Sequence, residues 1–140
     1  MSPLSAEAAA FLEQQRVARL ATVDERGQPH AVPICFAVLD GCIYTAIDQK
    51  PKRGKPQALR RIQNILANPR VCLVADRYAE DWSQLAWLQV RGAASLVDDP
   101  ELRPRVLAAL RQRYPQYAHM DLEDAPIIRI EPRQVVSWNA

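Results

Sequence analysis

The residues best suited to chemistry form a run of cations in the middle of the chain. Between Gln49 and Ala75 the sequence carries seven basic side chains and no acidic one. The formal net charge of all 140 residues is only +2, so positive charge is concentrated in this segment. Such a cluster on a mildly acidic body indicates a site for an anion, most simply a phosphorylated ligand. The seven are Lys50, Lys52, Arg53, Lys55, Arg60, Arg61 and Arg70.

The elements predicted on either side of this run would help to hold a phosphate. An apolar run from Gly41 to Ile47 predicts a strand, and the Thr45 hydroxyl lies near its end. A helix is predicted over Pro56–Ala67, and the first turn of a helix offers unpaired N–H groups and a positive dipole end. The alternative is an ordinary solvated charge run. DNA binding is disfavoured, because there is no helix-turn-helix or zinc pattern and the remaining surface would repel a polyanion.

A second candidate surface lies on the most regular strand pattern, Gln84–Val97. Apolar side chains alternate there with a second set that includes Trp87, Gln89 and Arg91, so these three are predicted to share one outward face. A tryptophan beside glutamine and arginine suits a protein interface, or a flat ring that needs stacking and one or two hydrogen bonds. Trp82, in the preceding loop, either closes the end of the sheet or contacts a ligand.

Other residue types give no sign of a nucleophile or a metal centre. His30 and His119 have no carboxylate or thiol at a spacing typical of catalysis, and a structural role is predicted for both. Three cysteines (Cys35, Cys42 and Cys72) follow no ligand spacing and lie in apolar runs, which favours buried thiols in a reducing cytoplasm. The catalytic residues are therefore unknown, no metal site is expected, and a bound cofactor would carry the chemistry of any enzyme.

The elements that would position these residues predict one domain, residues 1–140, of the α+β class with mainly β structure. No nucleotide-binding glycine motif, secretory signal or membrane-spanning run is found, so a soluble cytoplasmic protein without membrane contact is expected. Six or so antiparallel strands with two or three short helices predict a barrel-like domain. The predicted helices are Leu4–Gln15, Pro56–Ala67 and Glu101–Tyr114. The predicted strands are Val17–Val23, Gln28–Leu39, Cys42–Ile47, Val71–Ala75, Gln84–Val97 and a last strand pair in Ile127–Trp138.

Four sequence pieces, taken in order, resemble the split-barrel superfamily of the pyridoxamine 5′-phosphate oxidases. They are Ala21-Thr22-Val23 continuing to Gly27, Pro29 and His30; the Lys-Pro-Lys-Arg loop; Asn64 to Val71; and Val90-Arg91-Gly92. Within it, the chain is most similar to the branch of enzymes dependent on deazaflavin (coenzyme F420). This resemblance implies a six-stranded, Greek-key split barrel that forms a homodimer, with cofactor sites between the subunits.

The resemblance also implies a role for particular positions. It assigns the cofactor phosphate to Thr45, Lys50, Lys52, Arg53 and Lys55. It places Val32, Pro33 and Ile34 beside the cofactor ring, with Gln89 and Trp87 in the same groove.

Two departures from the oxidases matter. The cationic loop is longer and richer in proline and lysine than their short Ser-Arg-Lys segment, and their C-terminal Trp…Arg segment has no counterpart before Ala140. Vitamin B6 oxidation is therefore not expected, and coenzyme F420, with a phosphodiester and an acidic tail, suits the surplus of cations better than FMN.

The leading hypothesis is an oxidoreductase that transfers a hydride between deazaflavin and a small organic substrate. The first alternative is an FMN-binding reductase or oxidase of the same fold. The second is a non-catalytic protein that binds flavin, deazaflavin or haem, and the third is an empty barrel whose dimer face has another use.

Overall fold

A computed structural model of the protein describes residues 3–48 and 59–140. The predicted phosphate ligands Lys50, Lys52, Arg53 and Lys55 therefore lie outside the described residues. Three α-helices are present, and each agrees in position with a predicted one: α1 (Ala6–Gln14), α2 (Arg60–Ala67) and α3 (Leu102–Arg113). Ser5 begins α1, because its hydroxyl accepts a hydrogen bond from the Ala8 N–H. Two short 3₁₀ helices cover Trp82–Gln84 and Pro115–His119.

The strands form one sheet in which every neighbouring pair is antiparallel. Its order is β2-β1-β5-β6-β7-β4-β3, so seven strands take the place of the six expected. Their bounds are β1 (Ala18–Val23), β2 (Pro29–Ile34), β3 (Ala37–Leu39), β4 (Cys42–Ala46), β5 (Arg70–Arg77), β6 (Ala86–Leu96) and β7 (Ile127–Asn139).

The predicted strand Gln28–Leu39 is divided into two strands by a break at Cys35 and Phe36. The Tyr114 side chain causes the break: its hydroxyl donates to the Phe36 carbonyl oxygen at 3.1 Å and accepts from the Phe36 N–H at 3.0 Å. Both backbone groups of Phe36 are thus satisfied away from any neighbouring strand. The two halves of the run, β2 and β3, consequently pair with different strands at opposite edges of the sheet.

This break also closes the sheet into a barrel. Strands β2 and β3 are the two edges, yet only Cys35 and Phe36 separate them in the chain. Two residues span roughly 10 Å at most between the flanking strand ends, so the sheet must curl until its edges nearly meet. The result is the expected mainly β split barrel, with an opening where β2 and β3 fail to pair.

The C-terminal strand differs from its prediction. A strand pair was expected over Ile127–Trp138, whereas β7 is one continuous strand. It pairs with β6 over its whole length, with a bulge between Arg91 and Gly92. A Cβ at Gly92 would overlap the Glu131 carbonyl oxygen, so glycine is required where the two strands approach most closely.

The core occupies the inside of the barrel, and α1 and α2 pack against it. Leu12, Leu20, Phe36, Leu73 and Val90 are among its fully buried side chains. A second apolar cluster lies under α3.

The apolar pattern of α2 predicts an inward stripe of Leu59, Ile62, Ile65 and Leu66, but less of the helix surface turns inward. Ile62 and Ile65 are buried as expected, whereas Leu66 is 67% exposed. Asn64 is buried instead, and its amide donates to the Thr22 hydroxyl at 2.9 Å. Among the described residues, no helix is long and apolar enough to cross a membrane.

Candidate functional site

The split in the barrel contains a small cleft, and three of the predicted site residues line it. Thr45 from β4 and Pro33 and Ile34 from β2 all face this space of about 220 Å³. Asp48, which follows β4, and Arg61 from α2 line the same cleft. The cleft therefore joins a hydroxyl, a cation and a carboxylate beside an exposed strand edge.

Thr45 reaches the cleft because β3 is too short to cover β4. The last pair between these strands joins Ala37 to Tyr44, so Thr45 and Ala46 extend beyond β3. On its other side Thr45 pairs with Ile128 of β7, which holds the strand in place. The residue is only 1% exposed. Thr45 therefore borders the cleft, and its contact to a phosphate stays a prediction.

Arg61 is one of the cations of the segment Gln49–Ala75, and the helix pattern predicts that it lies off the inward apolar stripe of α2. The neighbouring Ile62 is buried, which fixes the orientation of α2 and directs Arg61 sideways into the cleft. Burial lowers the pKa of the Arg61 guanidinium from its ordinary value, and the nearby Asp48 carboxylate and Tyr117 partly offset this effect. An arginine remains protonated under such conditions, so Arg61 places a partly desolvated positive charge beside Thr45.

Asp48 is held by a residue that no sequence pattern placed near it. The Tyr117 hydroxyl, in the 3₁₀ helix after α3, donates a 2.5 Å hydrogen bond to Asp48 Oδ2. Burial, and secondly this bond to the carboxylate, raises the pKa of Tyr117 above its ordinary value. Tyr117 is thus a neutral donor that holds the carboxylate in the cleft.

Cys35 lines the cleft as well, which corrects the expectation that all three thiols are buried in the core. It is half-buried, as is Cys72, and only Cys42 is fully buried. Burial raises the pKa of the Cys35 thiol, while a hydrogen bond with Tyr117 acts in the opposite direction. The Cys35 side chain is therefore a neutral thiol at neutral pH.

The four predicted phosphate ligands outside the described residues are connected to the cleft at both ends of their segment. Asp48 lies directly before residues 49–58, and Arg61 follows them by three positions. Both of these flanking residues line the cleft. Contact of the four cations in this segment with a phosphate stays a prediction.

The strand expected beside a cofactor ring is one edge of the sheet. Val32 packs partly against the core, Pro33 is exposed, and Ile34 is buried. Among the described strands, β2 pairs only with β1, so no described strand covers its other edge. An open edge at the cleft offers backbone groups and a flat surface to a planar ligand.

Gln89 and Trp87 lie elsewhere on the same molecule. A single row of paired residues crosses the outward face from Pro33 through Arg19 and Val74 to Gln89. Three strand spacings, roughly 14 Å, therefore separate Gln89 from Pro33. Within one chain, the predicted site residues form two groups rather than one.

The second group belongs to an outward face built on β5, β6 and β7. Gln89 accepts a hydrogen bond from Arg91 Nε at 3.0 Å, and Arg91 Nη1 donates to Gln134 at 3.3 Å. Trp87 lies directly across from Trp138, which is 45% exposed. Arg91 and Gln134 line a mainly apolar hollow of about 460 Å³, together with Cys72.

The two histidines remain without a catalytic arrangement. His30 Nε2 lies 3.6 Å from Asp24 Oδ2 in the turn after β1, away from the cleft. His119 ends the 3₁₀ helix that carries Tyr117. In residues 3–48 and 59–140, no three His, Cys, Asp or Glu side chains are grouped so that they could hold a metal ion.

A curled antiparallel sheet with a polar cleft between its two edges defines a split β-barrel protein. The chain belongs to the family described as pyridoxamine 5′-phosphate oxidase, which it matches over residues 4–139. The resemblance inferred from the sequence pieces is thereby confirmed at the level of the family.

Individual relatives show the same similarity over nearly the whole chain. A reductase of 5a,11a-dehydrotetracycline and 5a,11a-dehydrooxytetracycline from Streptomyces rimosus is 28% identical, over 97% of this chain and 83% of its own length. The structure of the conserved hypothetical protein Rv2991 from Mycobacterium tuberculosis superposes with a TM-score of 0.80 at 27% identity, covering 99% of this chain and 85% of that one. An FAD-binding protein from Mesorhizobium loti gives 0.70 at 25% identity, covering 96% and 94%.

Proposed function

We propose that the protein is a flavin-type oxidoreductase that uses deazaflavin, coenzyme F420, to transfer a hydride to or from a small organic substrate. The observation that carries the proposal is the cleft at the split, where Thr45 and Arg61 lie together beside Pro33 and Ile34. A hydroxyl and a guanidinium are suitable donors for a phosphate, and an open strand edge is suitable for a flat ring. Family membership supports the flavin-type chemistry.

The donor set fits a phosphorylated cofactor. Thr45 and Arg61 would hold the phosphate, together with the predicted ligands Lys50, Lys52, Arg53 and Lys55. Val32, Pro33 and Ile34 would lie beside the ring. When bound, deazaflavin supplies or accepts the hydride; the chain itself binds the phosphate, orients the ring and excludes water from it.

The number of cations favours deazaflavin over FMN. Four basic residues lie within residues 50–55, in addition to Arg61. One phosphate cannot contact all five, whereas a phosphodiester followed by an acidic tail offers several negative charges in series. Each exposed ion pair contributes roughly 0.2–1 kcal/mol, so the preference would come from several pairs together.

The separation of Gln89 and Trp87 from the cleft supports a homodimer. Their outward face is partly apolar, and it lies about 14 Å from Pro33 within one chain. A second copy packed on this face would bring its own Gln89 and Trp87 to the ring held by the first. In this arrangement each cofactor site takes the phosphate cradle from one subunit and the outward face from the other.

The substrate class is a conjugated organic molecule that can accept or lose a hydride at carbon. The support is the Streptomyces rimosus relative, whose name describes it as a reductase of dehydrotetracyclines, which are unsaturated polycyclic compounds. The partly apolar outward face with Trp87 and Trp138 would provide a suitable wall for such a planar substrate.

Parallel fluorescence titrations with coenzyme F420 and with FMN test the proposal. Micromolar or tighter binding of coenzyme F420, together with weaker binding of FMN, is expected. A preference for FMN would assign the protein to the flavin-dependent enzymes of this fold. Binding of neither cofactor would contradict the oxidoreductase proposal, and a substrate screen would then have no basis.

A further inference from the structure

The cleft contains a negative charge at the place where an anion would bind. Asp48 lines it together with Thr45 and Arg61. Its Oδ2 atom accepts the 2.5 Å hydrogen bond of Tyr117, so the carboxylate is held rather than free to turn away. A site that only had to bind phosphate tightly would be expected to contain donors and cations alone. The presence of a fixed carboxylate needs a different explanation.

The charges around Asp48 come from each element packed against it. Helix α2 contributes Arg61, which is attracted to the Asp48 carboxylate. The 3₁₀ helix contributes the neutral hydroxyl of Tyr117, and the link between β2 and β3 contributes the Cys35 thiol. Arg113 of α3 acts on Cys35, while its guanidinium donates to the last carbonyls of α1. Among the described residues that line the cleft, one cation thus faces one anion.

The presence of one cation and one anion in the cleft should favour one kind of phosphate over another. A phosphomonoester carries between about −1.5 and −2 charges at neutral pH, with its second pKa near 6, whereas a phosphodiester carries one charge. In a partly desolvated cleft, a second negative charge next to a carboxylate is strongly disfavoured. FMN is a phosphomonoester, and the phosphate of coenzyme F420 is a phosphodiester.

We propose that Asp48 makes the cleft select a phosphodiester over a phosphomonoester, and that Tyr117 is the positioning residue that holds Asp48 for this purpose. The inference rests on the proposed function only in placing the cofactor phosphate at Thr45 and Arg61. It assigns to the chain's own carboxylate the discrimination between two cofactors that share a similar ring.

The first test is a fluorescence titration of the full-length protein with FMN at about pH 5.5 and about pH 7.5, on either side of the second phosphate pKa. Wild-type protein is expected to bind FMN about tenfold more tightly at the lower pH, where the phosphate carries one charge. Asp48→Asn should bind FMN about tenfold more tightly than wild type at the higher pH and lose most of the pH dependence.

Asp40→Asn is the matched control. It removes the same charge from the turn between β3 and β4, where Asp40 pairs with Arg105 at 2.7 Å. Asparagine tolerates the left-handed backbone of this position, φ 52°. FMN affinity in this variant should equal that of the wild type at both pH values. If Asp48→Asn leaves FMN affinity unchanged or undetectable at the higher pH, the selection role is wrong.

Tyr117→Phe tests the positioning role. Without its donor, the Asp48 carboxylate is free to turn away from the cleft, so FMN binding should strengthen about threefold or more at the higher pH. In the double variant with Asp48→Asn, removing the hydroxyl should have no further effect on FMN affinity. Independent, additive effects of the two substitutions would show that Tyr117 acts only on the fold, and would contradict its assignment.

A titration with coenzyme F420 separates this inference from the proposed function. If wild-type protein binds FMN but not coenzyme F420, the deazaflavin assignment fails. The Asp48→Asn titrations with FMN still decide whether Asp48 opposes the second phosphate charge. Suppose that coenzyme F420 binds and that Asp48→Asn does not lower the ratio of the affinity for coenzyme F420 to the affinity for FMN. The deazaflavin assignment then stands and the selection role fails.

Discussion

The cleft at the split and the outward face of β5, β6 and β7 are built in opposite ways. The outward face follows from strand register alone: once β6 pairs with β5 and β7, the places of Trp87, Gln89 and Arg91 are fixed. The cleft instead brings together Ile34, Thr45, Asp48 and Arg61 from separate elements. Tyr117, 69 positions after Asp48, donates a hydrogen bond to the Asp48 carboxylate. A regular face can be predicted from local pattern, whereas a convergent cleft depends on tertiary packing.

Gly92→Ala would break the regular region and should have the largest effect. The added Cβ would overlap the Glu131 carbonyl oxygen, so the β6–β7 pairing must shift at the bulge. A loss of roughly 3 kcal/mol or more in the free energy of unfolding is expected. Thermal and urea unfolding measure it.

Gly27→Ala is the control for this substitution. Gly27 has a positive φ, 86°, and a Cβ there would meet nothing within 4 Å. Gly27→Ala should lower the free energy of unfolding by only about 1 kcal/mol, because of backbone strain. Equal losses in the two variants would mean that the close approach of β6 and β7 does not constrain the sheet.

Arg61→Ala tests the convergent cleft without disturbing the sheet. The affinity for coenzyme F420 should fall about 30-fold, because a charge-assisted contact to phosphate is lost in a partly desolvated cleft. The melting temperature should change little. Arg60→Ala, one position earlier, removes the same charge from a side chain that lines a different hollow. Similar losses of affinity in both variants would indicate general attraction rather than a contact.

The cations of residues 50–55 should contribute less than Arg61. Replacing Lys52 and Arg53 together with alanine is expected to weaken coenzyme F420 binding about fivefold at low salt, and less at high salt. Isothermal titration at two salt concentrations measures both values. An unchanged dissociation constant at low salt would remove these two residues from the cofactor site.

Thiol alkylation should show the smallest and most local difference between the two regions. Burial raises the pKa of both Cys35 and Cys72 above 9.0, so little thiolate is present at neutral pH and alkylation should accelerate as pH rises through the shifted values. Bound cofactor should slow the reaction of Cys35 and leave that of Cys72 unchanged. Mass spectrometry of iodoacetamide-treated protein distinguishes the two sites, and equal protection would show that the cofactor also covers the outward face.

The sequence predicted the fold where local pattern was strong. The alternation in Gln84–Val97 correctly assigned the buried and outward side chains of β6. Positions of all three helices were predicted to within a few residues, apart from the start of α2. The break at Phe36 was missed because its cause, the Tyr114 hydroxyl, lies 78 positions away.

The site was likewise predicted where the sequence signal was local and missed where the position of a residue depends on tertiary packing. Thr45, Pro33 and Ile34 were expected near a cofactor and do line one cleft. Arg61 was counted among the cations but not singled out as a residue of the cleft, and Asp48 was overlooked although it directly precedes the cationic segment. Tyr117 carried no local signal, since only the packing of α3 brings its 3₁₀ helix to Asp48.

The short link through Cys35 and Phe36 has a consequence for folding kinetics. The hairpins β1–β2 and β3–β4 are adjacent in the chain and rich in local contacts, so they can form early. They lie at opposite ends of the sheet, and only the later strands β5, β6 and β7 connect them. The cleft therefore exists only after the barrel has closed. A cofactor that binds there should slow the unfolding of the protein without accelerating its folding.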